Sequence, residues 1–398
     1  MADLVICEKQ DLNDIANALR EADPEIETDL TFAALKTNAI NKILSTKPVI
    51  DPTKASSWTI ATNDSTFTLC TAVDQNPHTG LIVAGHEGGA VMSYDGKNWI
   101  STDLEYFGIA VNCLHYYDTG DMWLAGTDEG LYWSYDGEFW QHSDRRTELS
   151  YVEVYDIDSD PFYGQVFVAS SFGVFFAESD TDIIDSEWQF ASTLGLSFEK
   201  VFVNSNANGI VLATGYDGVE FCYYFTPETF YDSNIAEYSA SAIAANPSNG
   251  NHVILCSNTN GIYYSTNGGS TFIQAKNSPN GYKYSICYGS IVSGSNPRVV
   301  VGCDRGITYS DNDGADWTSV SLDDTIISVH YGNGRWLACA KNKNYIYMSI
   351  DGETWTKVDL SGISSPARFT KACYSDEFGL WMLFGDAVGD ADILYAEG

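Results

Sequence analysis

The stretch LYWSYDGEFW, residues 131–140, combines alternating apolar residues, a tight turn and an aromatic residue where the next strand begins. Nearly the same phrase recurs as AVMSYDGKNW (90–99), IYYSTNGGSTF (262–272), ITYSDNDGADW (307–317) and IYMSIDGETW (346–355). Adjacent copies lie about 40–45 residues apart, and the longer gap between the second and third copies contains two degenerate units, 165–179 and 209–230. A repeat of this length therefore decides the architecture.

Each unit contains several short apolar runs besides the turn. MWLAGTDEGLYWS (122–134) and RVVVGCDRGITYS (298–310) each give two strands joined by a polar loop, and a further apolar run precedes them. With the strand after the turn, the unit has four strands, which is typical of one blade of a β-propeller. The fold class is therefore all-β, with a short α-helical N-terminal segment described below.

The number of blades follows from the sets of three strands before each turn. Such sets begin near residues 67, 109, 152, 199, 239, 283, 325 and 367, which predicts an eight-bladed ring. The last set ends without a fourth strand, whereas SSWTIAT (56–62) is a fourth strand without its first three. We expect residues 56–62 to close the last blade within a propeller of residues 56–398. A seven-bladed ring is the alternative, if 175–235 forms one unit.

The recurring turn resembles the Asp-box, Ser-x-Asp-(x)-Gly-x-x-Trp, of sialidase-like (BNR-type) propellers. The aspartate or asparagine can accept turn amides, the glycine can adopt a positive φ, and the aromatic residue can pack on neighbouring strands or the next blade. In that superfamily the box is a structural turn far from the central site. The residues that match it here are Ser93, Asp95, Gly96, Trp99, Ser134, Asp136, Gly137, Trp140, Asn267, Gly269, Phe272, Asn312, Gly314, Trp317, Asp351, Gly352 and Trp355.

Composition narrows the classes of function. The net charge of −34 argues against nucleic-acid binding and against anionic membranes and sulfated glycans. The sequence has no apolar run long enough to span a bilayer and no signal-peptide pattern at its start, so we expect no membrane insertion. Most of the nine cysteines fall in predicted strands, and we expect them to be buried free thiols.

Residues 1–55 differ from the repeats. The stretch 11–26 places Leu12, Ile15, Ala16 and Leu19 on one helical face. We predict a second helix in 31–44 and a linker in 45–57. Two short helices cannot form a core alone, so we expect residues 1–55 to dock on a partner.

This N-terminal stretch resembles the N-terminal module of many tailed-phage fibre and appendage proteins. The matches cover about an eighth of the chain, and AALK stands where the family often has a proline-containing loop. The resemblance implies a virion protein that is made in the host cytoplasm, docks or oligomerises through residues 1–55, and displays its propeller. The matching residues are Asp11, Leu12, Ile15, Ala16, Ala18, Leu19, Arg20, Leu30, Thr31, Phe32, Ala39 and Ile40.

Catalytic and metal-binding patterns are weak. A sialidase needs three converging arginines, and the motif that supplies the first is absent. Another glycosidase needs only two carboxylates at the right separation, so a glycan-degrading enzyme stays the competing class. Asp156, Asp158 and Asp160 alternate like half of a calcium loop, but Pro161 replaces the glycine. We predict no catalytic residues, no metal and no cofactor.

The expected function is therefore adhesion, the binding of a host-surface glycan or protein by a phage tail appendage. A purely structural or decorating virion protein is the alternative, and we expect a homo-oligomer on the particle. The loops between second and third strands lie on the rim opposite the recurring turns and vary between blades. We predict that a ligand contacts residues of these loops around the channel mouth, namely His86, Glu87, Asp128, Glu129, Tyr216, Asp217, Asp304 and Arg305.

Overall fold

Eight β-sheets follow one another along the chain in a computed structural model of the protein. The structure describes residues 51–63, 67–143, 149, 151–185, 188–191, 196–205, 209–215, 218–236, 240–258, 260–289, 297–363, 368–386 and 392–398. The helices expected in residues 1–50, with Leu12, Ile15, Ala16 and Leu19, lie outside these ranges. No helix of the described part is long and apolar enough to cross a membrane.

The first half of the chain forms blades 1 to 4, after two short strands, β1 (Thr59–Ile60) and β2 (Thr62–Asn63). Blade 1 has β3 (Cys70–Gln75), β4 (Ile82–His86), β5 (Gly89–Ser93) and β6 (Asn98–Ser101), followed by helix α1 (Asp103–Phe107). Blade 2 has β7 (Val111–Tyr117), β8 (Met122–Thr127), β9 (Gly130–Ser134) and β10 (Gln141–His142). Blade 3 has β11 (Val154–Ser159), β12 (Val166–Ser170), β13 (Gly173–Ala177), helix α2 (Asp180–Asp185) and β14 (Gln189–Phe190). Blade 4 has β15 (Phe198–Asn204), β16 (Ile210–Gly215), β17 (Gly218–Tyr223) and β18 (Thr226–Ala236).

The second half forms blades 5 to 8 in the same order. Blade 5 has β19 (Ala240–Asn246), β20 (Asn249–Ser257), β21 (Gly261–Ser265) and β22 (Ile273–Gln274). Blade 6 has β23 (Lys283–Gly289), β24 (Arg298–Cys303), β25 (Gly306–Ser310) and β26 (Thr318–Ser321). Blade 7 has β27 (Ile326–Gly332), β28 (Arg335–Ala340), β29 (Tyr345–Ser349) and β30 (Thr356–Asp359). Blade 8 has β31 (Arg368–Ser375), β32 (Leu380–Asp386) and β33 (Ile393–Glu397).

The eight sheets close into a ring. The first strand of each blade contacts the first strand of the next, and β31 contacts β3. This is the predicted eight-bladed propeller, and the seven-bladed alternative is wrong because 175–235 is shared between blades 3 and 4.

The fourth strand of blade 8 comes from the other end of the described chain. Strand β1 pairs antiparallel with β33, so that Thr59 faces Tyr395 and Ile60 faces Leu394. Beyond this predicted closure, β2 pairs parallel with β6 and makes the sheet of blade 1 five-stranded. Residues 59–63 therefore join the last blade to the first.

Antiparallel connections alternate between the two rims of the ring. We call the rim with the turns between third and fourth strands, and between first and second strands, the turn rim. The opposite rim, with the loops between second and third strands, is called the loop rim.

The apolar core lies between blades. The buried apolar side chains of the described residues form eight clusters, each shared by two neighbouring blades. Strand β4 shows how one strand serves two clusters, because Ile82 and Ala84 face blade 8 whereas Val83 faces blade 2. Second strands are therefore buried on both faces, which explains their continuous apolar runs.

The recurring turn forms a closed network of hydrogen bonds. In blade 2 the Ser134 hydroxyl accepts the N–H of Gly137 at 2.9 Å and donates to Asp136 Oδ1 at 3.0 Å. The same Oδ1 accepts the amides of Glu138 at 3.0 Å and Phe139 at 2.9 Å. Partial burial raises the pKa of Asp136, but these hydrogen bonds to its charged form lower the pKa overall, below its ordinary value.

The aromatic residue after the turn packs on the preceding blade. Trp140 is buried in the cluster between blades 1 and 2, and its indole N–H donates to the Gly137 carbonyl at 2.9 Å. Trp99 likewise meets Phe384 of blade 8 edge to face, with ring centroids 5.3 Å apart. Of the two expected places, neighbouring strands or the next blade, the aromatic residue thus occupies neighbouring strands, because each turn lies over the second strand of the blade before it.

An arginine ties two neighbouring turns together on the turn rim. Arg298, at the start of β24, is 5% exposed and donates to both carboxylate oxygens of Asp311, at 2.6 and 2.7 Å. It also donates to Glu353 in the turn of blade 7 at 2.7 Å. Burial lowers the pKa of Arg298, but its hydrogen bonds to the two carboxylates raise it overall. Arg298 therefore has a structural role at the seam between blades 6 and 7.

Candidate functional site

The loops of the loop rim in blades 2 and 3 are capped by their own first residues. In blade 2 the Thr127 hydroxyl accepts the amide of Glu129 at 3.1 Å and donates to the Gly130 carbonyl at 2.7 Å. In blade 3 Ser170 makes the same pair of hydrogen bonds, with Phe172 at 3.2 Å and Gly173 at 2.8 Å. The first position of these loops is thus occupied by a buried polar residue that faces the loop itself.

His86 occupies that first position in blade 1, which overturns its assignment as a ligand contact. It is fully buried, and its Nδ1 lies 3.1 Å from the Gly88 amide and 2.9 Å from the Thr68 hydroxyl. Burial lowers the pKa of His86 to about 4, so the ring is neutral at physiological pH. The alignment of His86 with Thr127 and Ser170 was the signal in the sequence that would have identified this role.

Three of the predicted ligand residues extend into solvent on the loop rim. Glu87 is the exposed second residue of the blade 1 loop, and Asp128 and Glu129 are the exposed middle residues of the blade 2 loop. Tyr216 and Asp217, predicted for blade 4, lie outside the described residues.

The remaining two predicted residues, Asp304 and Arg305, line a cavity of about 530 Å³ on the loop rim of blade 6. The cavity lies between the blade 6 loop and the link from blade 5, which contributes Pro279, Asn280 and Gly281. Arg305 is exposed, whereas Asp304 is half-buried. Two of the predicted ligand residues thus line the same cavity.

Hydrogen bonds within the protein hold Asp304 in the wall of this cavity. Its Oδ2 accepts the amide of Tyr282 at 2.7 Å, and its Oδ1 accepts the hydroxyl of Tyr284 at 2.8 Å. Burial, with a smaller contribution from Asp304, raises the pKa of Tyr284 to about 12, so the phenol stays a donor. Asp304 therefore shapes the cavity, and Arg305 is its free charged side chain.

A buried lysine donates a hydrogen bond to the backbone of the same cavity wall. Lys283 is 1% exposed and donates to the Gly281 carbonyl at 2.8 Å. Burial is the main cause that lowers the pKa of Lys283. The cavity thus offers a guanidinium, backbone groups and a fixed carboxylate, which suits hydrogen bonding to a polar ligand.

The three alternating aspartates of blade 3 do not form a calcium loop. Asp156 and Asp158 accept the backbone amides of Val201 (3.2 Å) and Val203 (2.8 Å) on the next blade. Asp160 is buried and caps the turn that follows β11. No group of three histidine, cysteine or acidic side chains in the described ranges is arranged to hold a metal ion.

A second cavity, of about 310 Å³, lies along the first strands of blades 3 to 6 in the central channel. Asp156 and Lys200 face each other there, with a separation of 3.6 Å between Oδ1 and Nζ, and both keep contact with solvent. Burial raises the pKa of Asp158 to about 7. These charged groups lie at the seam between blades 3 and 4, where they bind the inner strands together.

Comparison with known proteins identifies the fold. No protein-family model matches the chain. No curated protein matches it either. Among solved structures, the chain is similar to the computationally designed Ika8 protein (TM-score 0.63, 12% identity, covering 85% of this chain and 99% of that one). It is also similar to the Dos1 propeller (0.62, 12%, 86% and 96%) and to an ancestral GH74 enzyme (0.57, 13%, 86% and 55%). These distant likenesses show the β-propeller fold alone, since the same fold serves a designed protein and an enzyme.

Proposed function

We propose that this chain is a virion protein of a tailed phage, a tail appendage whose propeller binds a host-surface glycan or protein. The observation that carries the proposal is the N-terminal pattern, from Asp11 to Arg20 and from Leu30 to Ile40, that resembles phage fibre and appendage modules. The five recurring turns further support a relation to Asp-box propellers. On this proposal residues 1–55 dock on other virion proteins, and the chain forms a homo-oligomer on the particle.

The loop rim supports adhesion as the task of the propeller. It carries the exposed Glu87, Asp128, Glu129 and Arg305, and the cavity of about 530 Å³ beside Arg305. Polar side chains around a cavity can bind a polar ligand by hydrogen bonds without any covalent step.

The virion part of the proposal is tested by mass spectrometry of purified particles. We expect peptides of this chain in particles, and their absence would contradict the proposal. Adhesion is tested by alanine replacement of Glu87, Asp128, Glu129 and Arg305, which raises the net charge by two. We expect host adsorption to fall by about tenfold or more.

The matched control removes two exposed carboxylates from the turn rim and also raises the net charge by two. Asp376→Ala with Glu377→Ala should leave adsorption unchanged. If the loop-rim variant adsorbs normally and is incorporated normally, the adhesive role of this rim is wrong and a structural or decorating role is favoured.

A further inference from the structure

A strip of aromatic rings lies on the turn rim where blades 3 and 4 meet. We call Phe162, Tyr163, Tyr223, Tyr224, Phe225 and Tyr231 the aromatic strip. Tyr163 stacks on Tyr224 and Tyr223 stacks on Phe225, with ring centroids 4.4 and 5.1 Å apart. The two pairs meet edge to face, with the centroids of Tyr224 and Phe225 5.5 Å apart. Phe162 is 72% exposed, and Tyr163 and Phe225 are each 63% exposed. Tyr224 packs toward blade 3 and Tyr223 toward blade 5, so the rings run from the blade 3 turn over the tip of the β17–β18 hairpin.

The fold does not require aromatic residues at this place. In blade 3 the Asp160 side chain accepts the amides of Phe162 at 2.7 Å and Tyr163 at 2.9 Å. The equivalent turn of blade 1 makes the same two hydrogen bonds from Asn76, at 2.8 and 3.1 Å, but its tip is His78–Thr79. Blade 5 carries Ser248–Asn249 after Asn246, whose side chain accepts the Ser248 amide at 2.8 Å. The same turn therefore forms with polar tips.

The backbone beneath the strip is shaped to hold its central ring. Gly209 has a φ of +66°, and a Cβ there would lie 1.5 Å from the Tyr224 ring. The Tyr224 amide donates to the Gly209 carbonyl at 2.9 Å. Tyr224 is therefore seated against bare backbone on one side and against the Tyr163 ring on the other.

The charges around the strip are of one sign. The sequence contains no lysine or arginine between Lys200 and Lys276, whereas Glu228 and Asp232 are exposed on β18 beside Tyr231. Added to the net charge of −34, this surface repels anionic ligands. The exposed large apolar residues in the described parts of blades 3 and 4 are all aromatic, since the exposed isoleucines (Ile60, Ile100, Ile273 and Ile350) belong to other blades.

We infer that the aromatic strip binds an uncharged polysaccharide. The C–H groups on one face of a sugar ring carry partial positive charge and match the negative face of an aromatic ring. Sugar hydroxyls can donate to the exposed carboxylates of β18, and the two stacked pairs offer two places along one glycan chain. A protein partner would be anchored by side chains in pockets, and neither of the two cavities described above lies at the strip. This site is separate from the loop rim and does not depend on the chain being a virion protein.

Affinity electrophoresis of the full chain in gels that contain mannan, dextran or a β-1,3-glucan tests the inference. We expect at least one of these uncharged polysaccharides to retard the protein, and hyaluronan not to retard it. The decisive variant is Phe162→Ser with Tyr163→Asn, which gives the blade 3 turn the tip of blade 5. It should weaken retardation by about tenfold while leaving the melting temperature unchanged.

The matched control is Tyr94→Ala with Tyr135→Ala, which removes two rings that are 60% and 57% exposed at the turns of blades 1 and 2. This control should be retarded like the native chain. The inference is overturned if none of the three uncharged polysaccharides retards the native chain, or if the strip variant is retarded equally. It is also overturned if light scattering shows a dimer that the strip variant loses, because a second copy would then cover the strip. A strip variant that loses retardation but still adsorbs to host cells would leave the loop-rim proposal standing.

Discussion

Gly137 illustrates, at the scale of one residue, why the recurring turn needs glycine. Its φ is +77°, and a Cβ there would lie 3.2 Å from Leu81 Cδ2 and from Val83 Cγ2 on the preceding blade. The glycines of the other turns meet the preceding blade in the same way, for example Gly314 against Ile254 at 2.8 Å. The glycine therefore serves both the turn and the packing of one blade on another.

Gly137→Val should destabilise the protein more than the same change at Gly334. Both positions have positive φ, at +77° and +70°, but nothing lies within 4 Å of a Cβ at Gly334. The extra cost at Gly137, about 1–3 kcal/mol from overpacking, measures the close approach of the two blades. Urea unfolding of both variants checks this, and equal losses would show that only the backbone conformation matters.

The burial and packing of single side chains were the hardest features of this molecule to predict from the sequence. The sequence identified the turn glycines and aromatic residues correctly, because five copies in register reveal the positions that a turn needs. The sequence placed His86 among the ligand contacts because a histidine in a polar loop is usually exposed. In the structure the loop folds over His86, its first residue, and buries it. The sequence left open whether Trp99 and Trp140 pack on neighbouring strands or on the next blade, because that depends on how successive blades overlap.

The inner strands illustrate the scale of the element, where polar side chains join neighbouring blades. Asp158 on β11 accepts the Val203 amide of β15, and Asp74 on β3 accepts the Tyr116 amide of β7 at 2.7 Å. Burial, the largest cause, raises the pKa of Asp74 to about 6 and that of Asp158 to about 7. Between the ordinary pKa of 3.8 and these raised values, the two carboxyls are therefore protonated in the folded state and ionised in the unfolded chain.

The stability contributed by Asp158 should decrease as the pH rises. Its folded pKa of about 7 lies above the ordinary value of 3.8, so the folded state binds the extra proton between these values. The contribution is present in full below about pH 4, is lost through about pH 7 and is constant above that. Asp156 and Asp74 are the charged groups that act on it.

Asp158→Asn should remove this part of the pH dependence. The variant should gain stability relative to the native protein as the pH rises from 5 to 8, as measured by urea unfolding at each pH. Asp376→Asn, at an exposed position of the turn rim, should show a constant difference. A constant difference for Asp158→Asn as well would mean that this carboxyl is ionised in both states.

Strands and turns were easier to predict from the sequence than the contacts between elements that are distant in sequence. The strand sets and turns follow from alternation and punctuation within a few tens of residues, and every predicted set begins within three residues of an observed first strand. The aromatic strip was missed because its two halves, 162–163 and 223–231, are far apart in sequence. A comparison of the tips after Asn76, Asp160 and Asn246 would have marked blade 3 as unusual.

Closure of the ring is the property of the whole molecule that the sequence predicted most directly. The unmatched strand at 56–62 and the incomplete set at 367–398 complement each other, and β1 does pair with β33. Trp58, just before β1, is buried in the cluster between blades 7 and 8 and donates its indole N–H to the Pro52 carbonyl at 2.9 Å. The cavity beside Arg305 could not be foreseen, since its walls come from the blade 6 loop and from the link that precedes this blade.

Deletion of residues 56–62 should strongly destabilise the propeller or cause aggregation, because it exposes the edge of β33 and opens the cluster around Trp58. Deletion of residues 1–45 is the control and should leave the melting temperature of the propeller unchanged. Thermal melting with size-exclusion chromatography makes the comparison. A 56–62 deletion that melts like the intact chain would show that the β1–β33 pairing contributes little.

The pairing of β1 with β33 also has a consequence for biosynthesis. The ribosome makes β1 before every other strand of the ring and β33 after all of them. Strand β1 therefore cannot pair with β33 until the other strands of the ring have been made. Blade 8 can be completed only when β33 has left the exit tunnel. A message truncated before codon 393 yields an open ring with two unpaired edges. The ring can therefore close only after residues 393–397 have been translated.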